Sequence, residues 1–139
     1  MKNIHWVMAD GSMAYTCMVD PAADSRAHAE EGKARGDFPS DWNAVAFDDP
    51  APPFHMPQEI WHWDGEHVTM HVAKARAWHK DRLRKERAPL FAPLDVQFMR
   101  GIEQGHDTLP IAAEKQRLRD ITKVVDTLPT WEEMAAVKP

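Results

Sequence analysis

The chain has 139 residues, of which 43% are hydrophobic and 28% charged, with a formal net charge of −5. That is the composition of an ordinary globular chain, with room for one compact domain or two modest pieces. The single Cys17 excludes an intrachain disulfide and no apolar run approaches membrane-spanning length, so nothing demands an oxidising compartment or a bilayer. The 11 prolines and 6 tryptophans are high for this length, and rigid connections and large aromatic anchors are expected to matter.

From the N-terminus, no secretory signal is expected, because Asp10-Gly11 interrupts the chain before an apolar signal core could form. Residues 4 to 9 and 12 to 19 are instead rich in β-formers around that Asp-Gly pair, which predicts a hairpin. A two-residue turn would place Ile4 opposite Cys17, Trp6 opposite Tyr15 and Met8 opposite Met13. All six would then share one apolar face, with Cys17 a packed core thiol.

Asp20-Pro21 and Gly36 bracket a predicted helix over residues 21 to 35. Its apolar residues are all alanines, so it is expected to lie on the surface and add little to a core. Residues 37 to 57 read as a proline-rich, semi-rigid connection in which only Trp42 to Phe47 looks strand-like.

A second Asp-Gly pair, Asp64-Gly65, predicts a second hairpin. Its register would gather Trp61, Trp63, Val68, Met70 and Val72 on a buried face, and Ile60, His62, His67, Thr69 and His71 on the other. His62 would stand across from His67, within reach of one metal ion, with His71 nearby. No third ligand follows from spacing, so a solvated polar face is the favoured reading and no cofactor is expected.

Beyond Val72 helix-formers run for more than thirty residues to Gly105, with Pro89 and Pro93 expected to kink or interrupt them. Leu90, Leu94, Phe98 and Ile102 form a stripe that should face Ile111, Leu118, Ile121 and Val125 on a helix capped by Asp107. The short link at 105 to 107 predicts an antiparallel helical hairpin. Thr130-Trp131-Glu132-Glu133 opens a last short helix with a capping-box pattern. Strands and helices are segregated, so the expected fold is α+β: a β-rich subdomain over residues 1 to 72 and a helical one over 73 to 139.

The charge is divided along the chain. Residues 1 to 73 carry 4 basic and 12 acidic side chains, whereas residues 74 to 87 carry 7 basic and 2 acidic ones. In that basic segment only Trp78 and Leu83 are large and apolar, so the helix is expected to resist burial in its own domain and to serve as a strut or a docking surface. Trp78 and Leu83, with Arg84, Arg87, Leu90 and Phe91, are the candidate partner-binding residues. Nucleic acid is a second candidate for the same cations, disfavoured by the acidic remainder. Among enzyme signatures, no phosphate loop, dinucleotide fingerprint, His-Glu-x-x-His or nucleophile elbow is present, and the protein is read as a non-enzyme.

Arg84-Lys85-Glu86-Arg87-Ala88-Pro89-Leu90-Phe91-Ala92-Pro93-Leu94-Asp95, followed by Lys115-Gln116-Arg117-Leu118-Arg119-Asp120-Ile121-Thr122, resembles the helical region of bacteriophage tail proteins of the tail-fibre assembly chaperone type. The likeness covers roughly residues 73 to 125. It implies a helical-hairpin motif carried by Asp95, Leu118, Arg119 and Asp120. It also implies a non-enzymatic partner of a tail fibre or neighbouring tail subunit, acting as an assembly chaperone or as a structural component of the virion. On that reading the protein works in the host cytoplasm and, if retained, in the virion tail, oligomeric within the assembly. The alternative is a nucleic-acid-binding or metal-dependent regulator using the basic helix 74–87 or the His62/His67/His71 face.

Overall fold

A computed structural model describes residues 2–48 and 52–139, and residues 49–51 of the proline-rich stretch lie outside it. The fold is α+β, with antiparallel strands followed by helices. The chain divides into two compact units, Met1–His71 and Val72–Pro139.

In the first unit, β1 (Lys2–Val7) lies between β2 (Met13–Met18) and β3 (Asn43–Phe47) in an antiparallel sheet of order β2-β1-β3. The β1–β2 hairpin forms, but its loop has three residues rather than two. Met8 and Ser12 pair at 2.9 Å, and Gly11 takes a left-handed φ of 81° between them. One added loop residue shifts the register by one, and a shift of one turns a strand's side chains over relative to its neighbour. Ile4 therefore faces Thr16, Trp6 faces Ala14 and His5 faces Tyr15. The expected single apolar face becomes two, and Cys17, opposite Asn3, is an exposed free thiol rather than a core one.

Each face of this sheet is covered. On one side Ile4, Trp6, Ala14 and Met18 pack with Ala29 of α1 (Ser25–Arg35), so the alanine-rich helix is part of the core after all. Small side chains let its backbone approach closely: a Cβ on Gly32 would overlap the Phe38 ring, which itself packs on Trp6. The cap of α1 is Asp24, whose carboxylate accepts from Arg26 and Ala27 N–H, while Asp20 closes only the preceding turn. On the other side Tyr15 meets Phe54 and Trp61. Trp61 belongs to a second hairpin of β4 (Trp61–Trp63) and β5 (Val68–Met70). The proline-rich stretch thus supplies an edge strand, β3, where Trp42 to Phe47 looked strand-like, together with Phe54 of the aromatic cover.

In that second hairpin the turn centres on Gly65-Glu66, one residue later than predicted, with Asp64 bonded to His67. Moving the centre by one shifts the register by two, which preserves the faces. Trp61 still shares a side with Val68 and Met70, but His62 faces Thr69 instead of His67. Ile60, expected among the histidines, is buried, because it sits in a short 3-10 turn (Gln58–Ile60) before the strand begins.

The second unit is a helical hairpin with a short closing helix. α2 (Val72–Glu103) runs through Pro89 and Pro93 as one continuous helix of 32 residues, where a kink or an interruption was expected. Both prolines are exposed, so the carbonyls they leave without an N–H partner lie on the solvent side, and water offsets the loss. α2 ends at Gly105, with His106 N–H reaching Gly101 O at 2.8 Å and Gly105 N–H reaching Ile102 O at 3.2 Å. Thr108, not Asp107, stands at the N-cap of α3 (Leu109–Val124), and Asp107 one residue earlier accepts from Leu109 N–H at 3.0 Å. Gly101 admits Thr108 at the apex, where a Cβ would stand 2.9 Å from the threonine methyl. After a 3-10 turn (Val125–Thr127), Thr130 accepts from Glu133 N–H and caps α4 (Trp131–Ala136).

Candidate partner-binding site

One side of α2 is the floor of the helical core. Ala75, His79 and Leu83 are buried at helical spacing, and Leu118, Ile121, Val125, Trp131 and Met134 are the buried residues of the elements that close on α2. The expectation that the basic segment cannot be buried in its own unit is therefore corrected. Leu83 is 0% exposed and is not a docking residue. In the sequence its charged neighbours hide a three-residue stripe, Ala75-x-x-x-His79-x-x-x-Leu83, whose members are small, polar and apolar in turn.

The positive charges of this segment are mostly used internally. Arg76 donates to Leu128 O at 3.4 Å, and Lys80 pairs with Asp126 at 2.6 Å. Arg82 grips Glu86 at 2.9 Å and donates to the carbonyls of Met134 and Val137 at 3.3 and 3.0 Å. Lys85 bonds Asp81 at 2.9 Å, which holds the Asp81 carboxyl below its ordinary value and the ammonium above its own. Arg87, expected to meet a partner, donates to Leu118 O and Arg119 O at 2.8 and 2.7 Å. Arg84 is exposed. Cations so engaged brace helices, and only a minority are left to neutralise phosphates.

The helical-hairpin residues are brought together only in part. Asp95 pairs with Lys115 at 2.5 Å, while Lys115 also lies over the Phe98 ring. Asp120 accepts from Lys123 and Gln116 within its own helix, so hydrogen bonds from both hold its carboxyl low. Arg119 reaches Gln116 at 3.4 Å, and Leu118 is core. Of the apolar stripe on α2, Leu94 and Phe98 are half-buried, but Leu90 and Ile102 are exposed. Phe91 is half-buried as well.

The histidines do not assemble. His62 and His71 approach edge to face at 5.6 Å, whereas His67 lies in the exposed turn. Among the described residues no group of three or more His, Cys, Asp or Glu could hold a metal ion. No helix among them is long and apolar enough to cross a membrane.

A further face of α2 starts against α4 and runs outward along the helix. Starting at Trp78, the positions Arg82, Lys85, Pro89, Ala92, Val96 and Met99 follow one another at intervals of four and three, which aligns them along one helix face. Trp78, half-buried, packs tilted against Trp131 with ring centroids 5.2 Å apart and walls a hollow of about 300 Å³ with Asp81, Arg82, Lys85 and Glu86. Further along, the seam turns apolar, and Val96 and Met99 are 48% and 56% exposed. The heptad spacing was legible in the sequence, but the prolines within it argued against a continuous helix and concealed it.

No protein-family model matches the sequence, and no curated protein or solved structure matches it.

Proposed function

We propose that this protein is a non-enzymatic bacteriophage tail protein whose helical unit docks a tail fibre or neighbouring tail subunit through the exposed part of the α2 seam around Val96 and Met99. It serves either as an assembly chaperone or as a component retained in the particle. The tail assignment rests on the likeness of residues 84 to 95 and 115 to 122 to tail-fibre assembly chaperones. The docking surface rests on one observation: Val96 and Met99 stand exposed on a heptad-spaced helix face beyond the Trp78 hollow. An apolar seam of that spacing suits an amphipathic partner helix.

Covering the open halves of Val96 and Met99 would contribute about 2 kcal/mol in all, roughly thirtyfold in affinity. The test is co-expression of the chain with the tail-fibre protein of the same source, followed by size-exclusion chromatography and titration. The complex is expected to form, and Val96→Ala with Met99→Ala is expected to weaken it by roughly that factor without changing the helical circular dichroism. Absence of a complex with the unaltered chain, or an unchanged affinity in the double variant, overturns the proposal. Mass spectrometry of mature particles then distinguishes the chaperone, which departs, from the structural component, which stays.

A further inference from the structure

His79 is 1% exposed, yet it is a titratable ring inside an apolar core. It lies against Trp131 of α4, with centroids 4.2 Å apart, and against Trp78 at 4.9 Å. Arg82 Nε donates to His79 Nδ1 at 3.2 Å, so the ring is neutral and carries its proton on Nε2. That Nε2 is buried without a hydrogen-bond partner. Arg82 holds α4 at the same time, through its bonds to Met134 O and Val137 O.

We propose that His79 and Arg82 form an acid-released latch on α4: adding a proton to His79 Nδ1 removes the acceptor for Arg82 Nε and frees the closing helix. A protonated His79 has two donors and would face a guanidinium at hydrogen-bond distance, with nothing to accept from Nε2. Arg82 must then swing away, and it takes its two bonds to the α4 backbone with it. α4 has six residues, too few to stay helical without tertiary contacts, and with the Arg82 bonds gone it is left to the burial of Trp131 and Met134. The charged groups whose fields reach His79 are Arg82 and Glu86, both on α2. α4 offers it the Trp131 ring, with Glu132 and Glu133 exposed. The turn after α3 meets α2 through Lys80–Asp126, and α3 through Lys115–Asp95 further along the helix.

Burial, and after it the Arg82 charge, lowers the His79 pKa, with Glu86 opposing. The latched state therefore binds fewer protons than the released one, so latching is complete above the ordinary histidine value and is lost as the pH falls below it. With the released ring at its ordinary pKa, a pH about one unit below that value shifts the equilibrium towards release by at most about tenfold.

The experiment is amide hydrogen exchange on the full chain, with protection factors compared between about pH 7.5 and about pH 5.5, on either side of the histidine value. Residues 131–137 are expected to lose protection severalfold, by up to about tenfold, while α3 keeps its own, and His79→Gln, whose amide oxygen still accepts from Arg82, is expected to abolish that loss. Unchanged protection in α4, a loss shared equally by α3, or a loss that persists in His79→Gln overturns the proposal. Should His79→Gln fail to fold, the unaltered chain decides by NMR: the His79 ring and the α4 amides must titrate with one midpoint, and separate midpoints sink the latch.

Discussion

Leu83→Ala separates a docking helix from a core helix more sharply than any other change in the basic segment. Leu83 is fully buried, on the same face of α2 as Ala75 and His79. Truncation removes the burial of several methyl and methylene groups and leaves a cavity that rigid helices on each side close only partly, which costs about 2 to 5 kcal/mol. A unit of this size has a total stability of about 3 to 10 kcal/mol. Its fully buried large side chains are few, Leu83, Leu118, Met134, His79 and Val125, so losing one of them removes much of the total. In urea, the midpoint read from helical circular dichroism is expected to fall steeply, and hydrogen exchange in α3 and α4 to accelerate even without denaturant. A variant that keeps the native midpoint but loses partner binding would refute the reasoning and return Leu83 to the interface.

Gly32→Ala normally favours a helix by about 1 kcal/mol, but the new methyl would overlap the Phe38 ring, and crowding costs about 1 to 3 kcal/mol; a net loss in thermal midpoint is expected, and a gain would show that Phe38 moves freely. Thr130→Ala removes the oxygen that accepts from Glu133 N–H at 3.2 Å and is expected to weaken α4 by about 1 kcal/mol, read as faster exchange of its amides; unchanged exchange would show that the cap is idle. The exposed thiol of Cys17 is expected to react with a disulfide reagent in the native protein as fast as a free cysteine peptide, whereas a reaction that waits for denaturant would restore the core reading.

Local chemistry alone determined the segregation of strands and helices, the two hairpins, the helical hairpin and the Thr130 cap of α4, because each depends on residues within a few positions of one another. Register was decided elsewhere. An Asp-Gly pair announces a turn but leaves its loop length open, and one residue more in the first hairpin moved Cys17 out of the core, while a one-residue displacement in the second moved His62 away from His67. The alanines of α1 became core only because a sheet with Trp6 and Phe38 lies beneath them, a contact that no local pattern encodes. The basic helix shows the same limit from the other side. Its cations mark a charged surface in the sequence, but the carbonyls of Met134, Val137, Leu118 and Arg119 that receive Arg82 and Arg87 lie more than thirty residues away. Only tertiary packing brings such acceptors within hydrogen-bond reach, and it turns a row of apparent binding residues into the braces of a small core.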